Sequence, residues 1–163
     1  MQSQLNHFDE QGNVVMVDVS AKNATLRTAT AQGRITVSAD VLRAIVQGTA
    51  AKGDVLGVAR VAGIMAAKRT WELIPLCHPL ALSHLSVDFT ILEQESAVLA
   101  QCTAQLWGQT GVEMEALTGV TTALLTIYDM CKAMDRGMEL SDIHLVYKDG
   151  GKSGQYRREE EQT

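Results

Sequence analysis

Proline is nearly absent from this chain of 163 residues: Pro75 and Pro79 are the only two, and they bracket a cysteine and a histidine in LIPLCHPL. Cysteine is scarce as well. Cys77, Cys102 and Cys131 are odd in number, far apart and without a C-x-x-C pair, which excludes a disulfide framework and a zinc knuckle and predicts reduced thiols. No apolar run reaches the roughly 20 residues that span a bilayer. The opening MQSQLNHFDEQG lacks the basic-then-apolar layout of a secretory leader, so a cytoplasmic protein with no membrane partner is expected. Positive charge is in deficit, fourteen Lys and Arg against nineteen Asp and Glu for a net charge of -5, which gives no basis for a nucleic-acid face. What remains is a composition 46% hydrophobic and 20% charged, at a length that fits one domain with a real core.

Along the chain, residues 1–25 are polar apart from VVMVDVS, which reads as a loosely held arm with one strand at most. Threonine-rich alternation around Gly33 in TLRTATAQGRITVS predicts a strand with a bulge or bend. Ser38 suits the cap of a short helix, ADVLRAIVQ, closed by Gly48, and Asp54 the cap of a longer one running over 55–74 until Pro75 stops it. That second helix carries Gly57, Ala59, Ala62, Gly63, Ala66 and Ala67, a content costly in a helix unless something packs closely on it. HLSVDFTIL and AVLAQCTAQLW alternate strictly and read as an antiparallel hairpin with Cys102 in the core. A long helix capped by Thr110 follows, then a strand at DIHLVYK, then a polar tail, 151–163, expected to fray. Strand, helices, strand, strand, helix, strand is the order of an α+β ferredoxin-like domain, an antiparallel sheet with helices on one face. The expected core domain is 26–150.

Candidate chemistry can be placed on that frame. Asp129 and Lys132 stand three apart in TIYDMCKAM, the spacing that joins side chains on one helix face. Their apolar neighbours suggest a buried acid and base rather than a solvated pair. Glu115 lies within about 40° of Asp129 in helical angle and Glu113 on the opposite side, so Glu115 is favoured as partner. Glu113 reads as the acid of a T-x-x-E capping box with Thr110. Lys52 sits just before a helix N-terminus, where an anion could settle between its ammonium and free N–H groups, though a solvated lysine is the plainer account. Arg60, Lys68 and Arg69 read as solvated charges. GGKSG fails as a phosphate loop because Val146 stands where the first glycine belongs, leaving a looser role for Lys148 and Lys152 at a glycine-rich strand end. For PLCHP two readings balance: a turn with Cys77 as apolar filler and His78 satisfied by a carbonyl, or a functional pair. His84 alone does not complete a zinc site, so no metal is expected. These residues describe a small anion handled by lysines, a histidine and carboxylates, with no reaction specified.

The segments MVDVSAK, KGDVLGVARVAGIMAAKRTWELIPLCHPL, TGVEMEALTGV, LTIYDMCKAMDRGM and KDGGKSG resemble the molybdenum cofactor biosynthesis protein C family, the cyclic pyranopterin monophosphate synthases, over residues 16–154. The resemblance implies a ferredoxin-like subunit in a homohexamer, a trimer of dimers with active sites between subunits. It implies a lyase that rearranges a cyclised dihydro-GTP into cyclic pyranopterin monophosphate with loss of pyrophosphate. No redox cofactor is implied, and magnesium accompanying the triphosphate stays open. Leu76, Cys77, His78, Met114 and Glu115, with Glu113 beside them, match the family's substrate-binding segments. Asp129 matches its active-site acid, and Lys52 and Lys132 its essential lysines. Arg27, Lys68 and Lys148 are further candidates for the phosphates, since charge gathers there as pyrophosphate leaves. Two rivals are a non-catalytic small-ligand module of the same fold and a metal-dependent nucleotide phosphohydrolase, which would want clustered carboxylates.

Overall fold

The computed structural model describes residues 7–159; residues 1–6 of the expected arm and 160–163 of the expected tail lie outside them. Threonine-rich alternation builds β1 (Thr25–Thr36), whose odd-numbered residues Ala29, Ala31 and Ile35 are fully buried. Ser38 caps α1 (Ala39–Gln47) by accepting from the Val41 N–H at 3.3 Å, and Gly48 closes it in the left-handed region. Asp54 caps α2 (Val55–Ala67) through the Gly57 N–H at 2.9 Å. After a four-residue helix, α3 (Thr70–Leu73), the hairpin β2 (His84–Leu92) and β3 (Ala97–Gly108) pairs Val87 with Cys102, as the alternation predicts. Then come α4 (Glu113–Cys131), β4 (Glu139–Asp149) and β5 (Tyr156–Arg157). The antiparallel sheet has the order β2-β3-β1-β4-β5, so its first four strands follow the ferredoxin-like arrangement.

The small residues of α2 serve packing inside the chain. Ala59, Gly63 and Ala67 form one buried stripe against α4. A Cβ on Gly63 would lie 2.8 Å from the Gly119 carbonyl oxygen, and one on Gly119 would lie 2.5 Å from Cys102 Sγ. The two helices therefore cross at their glycines and press directly onto β3. Gly33 meets the same demand from the sheet, since a Cβ there would clash with Leu124 and Ile143. The bulges expected near Gly33 belong to its neighbour: β4 carries the extra residues opposite Thr30/Ala31 and Gln32/Arg34, and Asp142 takes a φ of 54° to make room.

Several expectations need correction. The helix foreseen over 55–74 stops at Ala67, because the buried Thr70 donates its hydroxyl to the Ala67 carbonyl at 3.0 Å and takes the acceptor that a continuing helix would use. Thr110 does not cap α4: Val112 is the N-cap, without a side-chain bond, and Glu113 is the first helical residue. Arg27 donates to the carbonyls of Gly108 and Gln109, and the chain bends at 109–110 before α4 begins. The arm has no strand at VVMVDVS, only an isolated bridge between Phe8 and Val14 around an Asp9 turn. In the tail, β5 pairs with β4 and sets Arg157 over the Tyr147 ring at 5.0 Å.

Candidate active site

The antiparallel course of α2 and α4 brings the start of one to the end of the other. There Lys132 Nζ lies 2.6 Å from Asp129 Oδ1, and Lys52 Nζ lies 3.4 Å from Asp129 Oδ2 and 3.0 Å from the Asp129 carbonyl. Lys52 reaches across from the turn that precedes Asp54, where its N–H···O partner is a carbonyl at the negative end of the α4 dipole. Its ammonium is thus spent on α4 rather than on the N-terminus of its own helix. The expected burial is not met: about half of each of the three side chains is exposed. Lys132, and then Lys52, hold the Asp129 carboxyl below its ordinary range. A partner or ligand covering the cluster would remove water from all three and push their proton affinities toward one another.

The second group stands at the other end of α4. Leu76, Cys77, His78, Met114 and Glu115 line a cavity of about 290 Å³, closed on one side by Val17, Val19 and Lys22 of the arm. Glu115 is 4% exposed. Burial, with a smaller push from the Glu113 carboxylate, raises its carboxyl to about 7, so near neutrality it can both give and take a proton. Burial and Glu115 together raise the Cys77 thiol, which keeps it protonated. His78 Nε2 lies 2.9 Å from the Val17 carbonyl. A carbonyl only accepts, so Nε2 carries the hydrogen of the neutral ring and Nδ1 is its basic atom. Glu113 folds its carboxylate over Gly111.

The predicted pairing of Glu115 with Asp129 fails on length. Fourteen residues at 1.5 Å each separate them by about 21 Å along the axis, however close their helical angles. Of the other candidates, Lys68 lines a separate cavity of about 420 Å³ with Leu82 and His84; Leu80 lines both cavities. Arg27 is buried, and its guanidinium donates to the Gly108 and Gln109 carbonyls at 3.1 Å each, with no acidic partner among the described residues. Lys148 pairs with Ala29 on the sheet face of Arg27 and bonds the Ser153 hydroxyl. Among the described residues no three His, Cys, Asp or Glu side chains gather as a metal site would need, and no helix is long and apolar enough to cross a membrane. Sequence reasoning missed Lys22, Val17 and Gln109, which belong to no motif; only the first two fall in a segment, MVDVSAK, that carried the resemblance.

The raised carboxyl of Glu115 fixes the sign of a pH effect. Its ordinary value is 4.5 and its folded value about 7. Stability from the neutral acid is fully present below 4.5 and lost as pH rises through about 7, a swing of roughly 3 kcal/mol. Glu115→Gln should therefore resist urea better than the parent at about pH 8 and lose that advantage at about pH 4. Parallel stability profiles for the two proteins would show that Glu115 is not held neutral.

The fold places the chain among α+β ferredoxin-like domains, here with a lysine-clamped aspartate at one end of its helix pair and a pocket holding a raised carboxyl at the other. Residues 16–151 match the model of the MoaC family, and the chain belongs to that family. It is 59% identical to the cyclic pyranopterin monophosphate synthase of Clostridium botulinum (strain Alaska E43 / Type E3), across 98% of this chain and the whole of that protein. Proteins of the same name from Pelobacter propionicus and Heliobacterium modesticaldum are 58% and 59% identical, each over 96% of this chain and 98% of the relative.

Proposed function

We propose that the protein is a cyclic pyranopterin monophosphate synthase, a lyase of molybdenum cofactor biosynthesis. It converts a cyclised dihydro-GTP to cyclic pyranopterin monophosphate and pyrophosphate. The observation that carries this reading is 58% and 59% identity, over 96% and 98% of the chain, to relatives of that name and nearly the same length. Opening the five-membered ring of the purine needs water activated and nitrogens protonated, which Asp129, Lys132 and Lys52 supply at one end. Glu115 and His78 bind and exchange protons with the pterin-forming end, lined by Leu76, Cys77 and Met114, with Glu113 at its rim. Displacing pyrophosphate from the α-phosphorus concentrates negative charge, which Arg27, Lys68 and Lys148 offset. No redox change occurs, so no redox cofactor is called for.

The enzyme works as a cytoplasmic homo-oligomer, a hexamer built as a trimer of dimers, with each site between two copies. Two observations favour copies meeting: the clusters are too far apart to share one small substrate within a chain, and the outer side of α2 exposes Val58, Val61 and Met65. The test is anaerobic incubation with cyclised dihydro-GTP, following pyrophosphate and, after oxidation, a fluorescent pterin. Both products should appear together. Substrate bound but unchanged would leave a ligand-binding module of the same fold in place of an enzyme.

A further inference from the structure

Among the described residues, only two hydrogen bonds tie segment 7–24 to the rest of the protein. One is His78 Nε2 to the Val17 carbonyl at 2.9 Å, and the other is Gln109 Nε2 to the Lys22 carbonyl at 3.0 Å. Every other hydrogen bond of the segment is internal, including Lys22 N–H to the Val19 carbonyl at 2.9 Å. Residues 17–22 therefore form a strap pinned at each end, and the strap is the wall that closes the Glu115 cavity, with Lys22 at its exposed edge.

Gln109 is itself fixed from the other side. Its carbonyl accepts Arg27 Nη2 at 3.1 Å while its side-chain amide holds the strap. Arg27 is buried and anchored a second time on the Gly108 carbonyl. A rigid line thus runs from the sheet through Arg27 and Gln109 to the backbone of Lys22. We infer that Gln109 is a positioning residue, which sets the Lys22 ammonium at the mouth of the pocket as a further cation for the anionic substrate.

The physical case is one of ordering. Each residue released from a fixed backbone conformation regains freedom that binding must remove again. A lysine already held at the mouth spares the substrate that cost, while one on a frayed strap does not. Because Lys22 lies beside the cavity rather than at the Asp129 cluster, its loss should weaken binding and leave the chemical step nearly intact. Only a donor can serve, since the group opposite Gln109 Nε2 is a carbonyl. Glutamate at 109 keeps the size and fails the role.

This inference rests on the synthase reading, so its test has an arm that does not. With cyclised dihydro-GTP as substrate, Gln109→Ala and Gln109→Glu should each raise KM roughly five- to tenfold, as expected for one lost hydrogen bond, with kcat nearly unchanged. Neither should add to the effect of Lys22→Ala when combined with it. An unchanged KM, a fall in kcat alone, or full additivity with Lys22→Ala would overturn the assignment. If the parent makes no product, the synthase reading falls and trypsin cleavage after Lys22 in the full protein decides the pin. Faster cleavage in both Gln109 variants supports it, and equal cleavage defeats it.

Discussion

Asp129→Asn should lower turnover of cyclised dihydro-GTP by about two to four orders of magnitude, the usual weight of a positioned acid or base, and leave the thermal unfolding midpoint almost where it was. Both halves follow from the same geometry. Asn keeps the shape of the side chain, its one amide oxygen can still accept from Lys132, and Lys52 keeps its bond to the residue-129 backbone carbonyl, but Asn cannot carry the proton that the carboxylate exchanges. More than half of the Asp129 side chain is exposed in the chain, and its ties to Lys132 and Lys52 are solvated, so the fold does not lean on it. Lys52→Ala and Lys132→Ala remove one ammonium each and should cost turnover with the same indifference of the midpoint. Variants that keep parental turnover would reduce the cluster to a surface ion pair, and variants that lose activity only by unfolding would leave its chemistry unproved.

The elements that sequence reveals here are those written in neighbouring residues. Ser38 and Gly48 bound α1, and strict alternation places Cys102 in the core opposite Val87. What escaped depends on contacts far apart in the chain. Arg27 binds carbonyls more than eighty residues away, at the end of β3, while Thr70 ends α2 through a hydroxyl bond that helix periodicity does not register. One of the two bulges of β4 lies opposite Gly33 on another strand, where Ile143 leaves no room for a Cβ. The site divides in the same way. Asp129 and Lys132 were legible because a three-residue spacing is local. Lys52 joins them only once α2 and α4 run antiparallel, and Glu115 was wrongly drawn to Asp129 because angle was weighed without rise. The strap and Gln109 depend wholly on tertiary structure.

Two inactive variants should make an active enzyme when their subunits are mixed. Glu115→Gln disables the pocket at the start of α4, and Asp129→Asn disables the cluster at its end, about 21 Å away along the same helix. A small nucleotide-derived substrate cannot touch both within one chain, so a reaction that needs both draws them from two copies. Co-assembled at equal amounts, subunits of the two kinds form some interfaces in which an intact pocket faces an intact cluster. For random pairing about a quarter of the sites are whole, and activity should rise from near zero to about that share of the parent. Each variant alone offers no whole site, because every interface repeats the same lesion. Tagged subunits recovered together would verify that mixing occurred. If mixed assemblies form and stay inactive, the two clusters serve separate ends within each chain, and the shared interface site falls with that result.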